Sequence, residues 1–127
     1  MATGISAYLA NSWLDAVGNN TSYAVTQVYV KLHVGDPGAN GTSNAATETT
    51  RKAASFAAAS SGSLASDAAI TLTNIAGSQD ATHFTCWDNP SAGNFLFSGT
   101  VTANAYVAGD TFTISSGSLT VSLTVAS

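Results

Sequence analysis

The sequence predicts a mainly β fold: a single-domain antiparallel β-sandwich, jelly-roll or Ig-like, with one N-terminal amphipathic helix. Two observations carry this prediction. Apolar and polar residues alternate in several short segments, as they do in strands that bury one face. Clusters of turn-forming residues separate these segments at intervals of roughly 8–12 residues, which is typical of antiparallel sandwiches and barrels.

Length and composition predict how the chain is organised. Its 127 residues suffice for one two-layer core, and no shift in composition marks a boundary. We therefore expect one structural domain over 1–127, with the helix in residues 1–18 and the sandwich in residues 23–127. A long loop is expected at 35–50.

One helix is predicted at residues 3–17. Its apolar residues recur at spacings of three and four and form a stripe: Ile5, Tyr8, Leu9, Trp13, Ala16 and Val17. Thr3 or Ser6 can cap its start, and Gly18 with the two asparagines after it can end it. The stripe can dock on its own domain or insert into a neighbouring subunit.

The clearest strand is at 28–34, where four aliphatic residues share one face: Val28, Val30, Leu32 and Val34. The next residues stop it, because Pro37 and Gly38 suit the central positions of a type II turn that Asp36 leads into. The rest of 35–50 is polar and long. We expect it to form a loop or an extended arm that reaches a neighbouring protein.

Further strands follow in the second half. Residues 49–57 favour a strand over a helix, with Phe56 as the one large anchor. Other strands are expected at 68–73, 82–88, 95–101, 111–114 and 119–125. In the last of these the alternation places Leu119, Val121, Leu123 and Val125 inward, and Thr120, Ser122 and Thr124 outward.

Charge excludes some partners. Charged residues make up 8% of the chain, against roughly 25% in typical soluble domains. The net charge is −4 and the only cations are Lys31, Arg51 and Lys52, whereas nucleic-acid binding needs clustered cations. A weakly charged surface gives little repulsion between copies, which suits a subunit of an assembly.

Membrane insertion is not predicted either. No segment approaches the roughly 20 apolar residues that span a bilayer. The N-terminus lacks the pattern of a signal peptide. We expect a soluble protein that is made in a cytosol and has neither a membrane nor a nucleic acid as partner.

The residues capable of reactive chemistry favour structural roles. Cys86, the one cysteine, lies in an apolar run and is expected to be a buried, unreactive thiol. His33 and His83 each lie within a strand, and a shared metal site would need adjacent strands and a third ligand. We expect both histidines to be hydrogen-bonded structural residues.

The carboxylates also point to turn structure. Four of the seven acids lie in or beside predicted turns, where they can accept hydrogen bonds from backbone amides: Asp36, Asp80, Asp88 and Asp110. The alternative is a calcium site built from two or three of them. No nucleophile elbow and no phosphate-binding loop is present. We predict no catalytic residue, metal or cofactor, and no enzyme activity.

Several short motifs, in a fixed order, run nearly the length of the chain. They are the N-terminal helix, Val28-Tyr29-Val30-Lys31-Leu32-His33 with Gly35-Asp36-Pro37-Gly38, Glu48-Thr49-Thr50-Arg51-Lys52-Ala53, Thr82-His83-Phe84, Gly93-Asn94-Phe95-Leu96, residues 107–112 and Leu119-Thr120-Val121-Ser122-Leu123. In this the chain resembles a family of small virion proteins of tailed bacteriophages, common in phages of actinobacteria. Members are described as minor tail or tail-fibre proteins, or as minor capsid or decoration proteins. The resemblance implies a non-enzymatic virion component and no particular binding residue.

Three functions follow as hypotheses. The first is a capsid decoration protein that binds the major capsid protein or other virion proteins and forms homo-oligomers in the particle. The alternative is a minor tail or tail-fibre component involved in host adsorption. The third is a carbohydrate-binding module, for which Tyr29, Trp87 and Tyr106 are the aromatic candidates. The candidate partner contacts are Ile5, Leu9, Trp13, Asp36, Pro37, Asn40, Thr42 and Asn44.

Overall fold

A computed structural model describes residues 3–123 and 125–126. This part of the chain forms one helix and eight strands: α1 (Ala7–Gly18), β1 (Val28–His33), β2 (Lys52–Ala54), β3 (Ser63–Ala65), β4 (Ile70–Leu72), β5 (Gln79–Trp87), β6 (Phe95–Tyr106), β7 (Phe112–Ile114) and β8 (Thr120–Ser122). The predicted mainly β class with one N-terminal helix is confirmed. No helix among the described residues has the length and apolar character needed to cross a membrane.

Every strand pairing is antiparallel, and the strands form an open sandwich. Four of them make one sheet in the order β2-β1-β5-β6, while β3 pairs with β8 and β4 pairs with β7 in two short ladders. Residues of the large sheet and of both ladders belong to one buried apolar cluster. The ladders therefore cover one face of the large sheet.

The centre of the core is the pairing of β1 with β5. Val30 lies opposite Cys86 and Leu32 lies opposite Phe84, and all four side chains are buried. Gly99 on β6 leaves room for Phe84, since a Cβ there would lie 2.8 Å from the Phe84 ring. The alternation predicted for residues 28–34 thus gives the inward face of β1.

The opposite face of β1 and β5 is partly buried: His33, Thr85 and Trp87 are buried in a polar network, whereas Tyr29, Lys31 and His83 are half-buried. Nδ1 of His33 lies 2.8 Å from the Ser43 carbonyl, and its Nε2 lies 2.9 Å from the Thr85 hydroxyl. Because a carbonyl only accepts, Nδ1 carries the proton and Nε2 accepts from Thr85. Thr85 in turn accepts a hydrogen bond from the indole N–H of Trp87 at 2.8 Å.

This network satisfies the polar atoms of His33. Burial lowers the pKa of His33, which keeps the ring neutral. The prediction of a hydrogen-bonded structural histidine is confirmed for His33. His83 is half-buried, and its Nδ1 lies 2.8 Å from the hydroxyl of Thr82.

The helix begins at Ala7, four residues later than predicted. Ser6 is its N-cap: the hydroxyl accepts from the Leu9 amide at 3.1 Å and donates to the Phe95 carbonyl at 2.7 Å. Gly4 exchanges two backbone hydrogen bonds with Ser98, and the Ser6 amide donates to the Leu96 carbonyl. Residues 4–6 therefore pair with the edge of β6, and this pairing prevents an earlier start of the helix.

Several strand boundaries differ from the prediction. β2 is only three residues long, although it is a strand and not a helix; β5 begins at Gln79 and β6 continues to Tyr106. Ser60 and Ser63, which exchange two backbone hydrogen bonds, close a tight turn with Ser61 and Gly62 at φ of 51° and 75°. These values suit a two-residue turn of the I′ type.

The inward placement of the last two aliphatic residues is wrong. Leu119 and Val121 are buried, but Leu123 is 49% exposed and Val125 is 54% exposed. β8 pairs with β3 only as far as Ser63, where the β3 chain enters its turn, and the Leu123 amide makes one further hydrogen bond to the Gly62 carbonyl. Among the described residues, no strand continues alongside Leu123 and Val125 to bury them. Thr124 lies outside the described residues.

We expect Leu32→Ala to lower the free energy of unfolding by about 2–5 kcal/mol, because it removes a fully buried side chain and leaves a cavity. Leu123→Ala is the matched control and should cost less than about 1 kcal/mol, since half of that side chain is already in solvent. Denaturant unfolding of both variants measures the difference. Equal losses would contradict the observed end of β8.

Candidate functional site

An apolar groove lies between the helix and the ladder of β3 and β8. We call it the α1–β8 groove. It has a volume of about 430 Å³. On the helix side it is lined by Ile5, Trp13, Ala16 and Val17, and on the ladder side by Ala59, Gly62, Ser63, Leu64, Val121, Ser122 and Leu123.

The groove exists because α1 packs on its own domain only through its first half. Leu9 is buried and Trp13 is half-buried against the core, whereas Val17 is 87% exposed. Leu14, outside the predicted stripe, is 69% exposed. The apolar stripe thus extends beyond the surface that its own domain offers for burial.

The walls of the α1–β8 groove carry no charge. Ser63 and Ser122 are the only hydroxyl-bearing residues that line it, and their hydroxyls bond each other at 3.0 Å. Contiguous exposed apolar surface of this kind marks interaction sites in soluble proteins. The groove therefore suits an uncharged, apolar occupant.

The predicted partner contacts fall into separate places. Ile5 and Trp13 line the α1–β8 groove, while Leu9 lies buried beneath the helix. Asn40 is exposed and lines a second, mixed depression of about 370 Å³ near the start of the helix, beside Ile5 and Phe95. The structure therefore brings Ile5 and Asn40 close together but keeps Trp13 apart from the loop.

The remaining predicted contacts lie within the 35–50 loop. Pro37 is buried; the Asp36 carboxylate accepts from the Gly38 amide at 2.9 Å, and the Asn44 side chain donates to the Asp36 carbonyl at 2.9 Å. Thr42 is exposed. Gly38 has φ of 81°, as the predicted type II turn requires.

The loop is not an extended arm. It folds back on β1, where the Val34 amide donates to Asn44 at 2.9 Å and the Ala46 amide donates to Leu32 at 3.2 Å. Gly41 packs so tightly on the Phe95 ring that a Cβ there would lie 2.6 Å from it. The expectation of a reaching arm failed because backbone hydrogen bonds, which composition does not reveal, hold the loop in place.

Glu48 fixes the end of this loop. Its buried carboxylate accepts from the Ala76 amide at 2.7 Å and from the Thr50 amide at 3.1 Å. Burial alone would raise the pKa of Glu48, but the hydrogen bonds from Thr50 and Ala76 outweigh it and hold the pKa below its ordinary value. Glu48 therefore ties the loop to the segment before β5 as a carboxylate.

Three of the four acids assigned to turns are confirmed there. The Asp36 carboxylate accepts from Gly38 as described, Asp88 accepts from the backbone and side chain of Asn94, and Asp110 accepts from the Val107 amide. Asp80 instead lies within β5. His33 and His83 are cross-strand neighbours, but the described residues contain no group of three or more potential metal ligands.

Burial makes the Cys86 thiol unreactive and leaves two of the three aromatic candidates for carbohydrate binding inaccessible. Cys86 is fully buried, as predicted, which raises the pKa of its thiol well above the ordinary value. Trp87 is buried with the Arg51 guanidinium 4.1 Å from its ring centroid, and Tyr106 is buried against Phe112. Neither ring is open for stacking on a sugar.

Sequence reasoning missed the ladder side of the groove. Leu64 and Leu123 lie about sixty residues apart, and only the pairing of β3 with β8 brings them together. The alternation at 119–125 was a signal for Leu123, but it was interpreted as core, and no strand was predicted at Leu64.

Comparison with known families decides the type of protein. The family described as podophage GP4 fiber I protein gp80 matches residues 4–122. The chain belongs to this family. A search of curated proteins finds no match.

Membership in the fiber I protein family makes this a structural protein of the phage virion, assembled in the host cell and associated with other virion components. The family description names a fibre, so it favours the tail-type alternative over capsid decoration.

We expect Glu48→Gln to lower the free energy of unfolding at pH 7 by about 1–3 kcal/mol, because a carboxamide cannot accept from both amides. The folded-state pKa of Glu48 is lowered, so its stabilisation is present above the unfolded value near 4.5 and is lost as the pH falls through the folded value. The stability gap between wild type and variant should therefore close in acid.

Asp80→Asn is the matched control, because Asp80 is an exposed carboxylate on β5. Denaturant unfolding at neutral and acid pH measures both variants. A gap for Glu48→Gln that stays constant with pH would contradict an ionised, hydrogen-bonded Glu48.

Proposed function

We propose that this protein is a structural subunit of the phage tail fibre that contributes to host adsorption, and that one copy binds another through the α1–β8 groove. The observation that carries the proposal is the match to a fibre protein family over residues 4–122. The mainly β fold with an uncharged apolar groove is consistent with a structural subunit.

The occupant of the groove is a second copy of this chain. Its walls are uncharged, so the occupant presents apolar side chains. The chain carries such side chains itself: Leu14 and Val17, on the last turns of α1, are exposed and stay uncovered by their own domain. Burial of this surface between copies would supply the hydrophobic free energy that the isolated domain leaves unused.

The charge content supports association between identical chains. With charged residues at only 8% of the sequence, two copies approach with little electrostatic repulsion. A capsid decoration role would use the same properties. The position of the protein in the particle therefore distinguishes the tail-fibre role from capsid decoration.

In virions labelled with antibody against this protein, we expect gold particles on the tail fibres. The measurement is electron microscopy of intact particles, with a copy-number estimate from quantitative mass spectrometry. Label spread over the capsid shell, at hundreds of copies per particle, would contradict the fibre assignment and favour decoration.

Val17→Asp and Leu123→Asp should each abolish self-association and incorporation into particles, because each places a charge on an apolar surface that contacts another copy. Both side chains are exposed, so the fold should stay intact. Analytical ultracentrifugation and particle composition are the measurements.

Val107→Asp is the matched control, since Val107 is 58% exposed and does not line the groove. It should leave association unchanged. If Val17→Asp or Leu123→Asp is lost from particles but still self-associates normally, the occupant of the groove is a different virion protein.

A further inference from the structure

The three cations of the chain lie on neighbouring residues of β1 and the β2 segment, and two of them share one face of the sheet. Val30 in β1 lies opposite Lys52 in β2, and continuing this antiparallel register by one residue places Arg51 across from Lys31, on which its charge acts. The sequence places Lys31 twenty positions away from the other two. Pairing of β1 with β2 therefore builds a positive patch on a protein whose net charge is −4.

Two of these cations share the outer face of the sheet. The Arg51 guanidinium lies 4.1 Å from the centroid of the Trp87 ring, and Trp87 is the β5 partner of Tyr29. Arg51 thus reaches across β1 on the face that carries Tyr29 and Lys31. Lys52 belongs to the other face of β2, because successive residues of a strand alternate.

Arg51 is held in a fixed position. Its Nη1 atom donates to the Asn89 carbonyl at 2.8 Å and to the Ala92 carbonyl at 2.5 Å. These two bonds use one end of the guanidinium fork and leave Nε and Nη2 as further donors. The nearby acid is Asp88, whose two carboxylate oxygens already accept from Asn94.

Lys31 is half-buried and forms no ion pair within the described residues. Burial lowers its pKa, and the positive charge of Arg51 lowers it further. Two like charges side by side on a strand pair destabilise the protein. An arrangement that is unfavourable for the free protein becomes favourable when an anion lies between the cations.

We propose that Lys31 and Arg51 form a recognition site for a phosphate group, with Tyr29 beside them to contact the organic carrier of that group. Two adjacent cations match a group with nearly two negative charges, which favours phosphate over a single carboxylate. Tyr29 is half-buried on the same face, two residues from Lys31. The site shares no residue with the α1–β8 groove, so it stands independently of the proposed function.

Binding to the full-length protein is measured by calorimetric titration at constant ionic strength, with inorganic phosphate and glucose 6-phosphate as probes. We expect saturable binding with dissociation constants on the order of 1–10 mM, as for recognition of a single group. Lys31→Met should weaken both probes about tenfold, because it removes one of two charge-assisted contacts. Tyr29→Leu should weaken only glucose 6-phosphate.

Lys52→Met is the matched control and should change either affinity by less than about twofold, because residue 52 lies on the opposite face of the sheet from Lys31 and Arg51. Equal affinity for the two probes and no effect of Tyr29→Leu would identify a site for the free anion without a carrier. Absence of saturable binding, or equal weakening by Lys31→Met and Lys52→Met, would overturn the proposal.

Folding of the Lys31→Met variant is checked in the same series. Without phosphate it should melt at or above the wild-type temperature, because the repulsion from Arg51 is gone. Salts raise the melting temperature of both proteins to some extent. Phosphate should raise that of the wild type by more than this general effect, and that of the variant only by the general effect. A variant that melts several degrees lower would assign Lys31 a structural role instead.

Discussion

The pairing of β1 with β5 is the interaction on which the rest of the structure depends. On one face it buries Val30, Leu32 and Phe84 against the two short ladders. On the other it buries His33 and Thr85 in a closed set of hydrogen bonds that ends at Ser43 in the loop. A strand pair with buried side chains on both faces fixes the layers on either side of it, so the ladders and the loop take their places from the same pairing.

The local part of this fold could be predicted from sequence. Alternation at 28–34, the positive φ of Gly38 and the cap at Ser6 are all expressed within a few residues, and each is observed, although the hydrogen-bonded turn runs from Gly38 to Gly41. The start of the helix was misplaced because the competing interaction, pairing of residues 4–6 with β6, joins positions more than ninety residues apart. Composition carries no information about such a contact.

The candidate sites depend even more on distant pairing. The 35–50 loop looked unattached because it is polar, yet its backbone groups bond to β1 and its one buried acid, Glu48, bonds to amides on two segments. Leu123 was predicted to be core because it extends a regular alternation, and Val17 ends a helical stripe for which docking on its own domain or on a neighbour was left open. In the fold, these apolar residues extend beyond the surfaces that could bury them, and the exposed apolar residues line the groove. Arg51 and Lys52, too sparse in sequence for a patch, gain Lys31 as a neighbour through strand register.

The way in which α1 is attached has a mechanical consequence. Residues 4–6 are bonded to the edge of β6, and the Ser6 hydroxyl joins the first turn of the helix to the Phe95 carbonyl. A force that pulls the helix along the strand direction loads these hydrogen bonds together, in shear. A force that lifts the helix away from the sheet loads them one after another, as in peeling. A subunit in a fibre under tension would therefore resist load far better along the edge of β6 than across it.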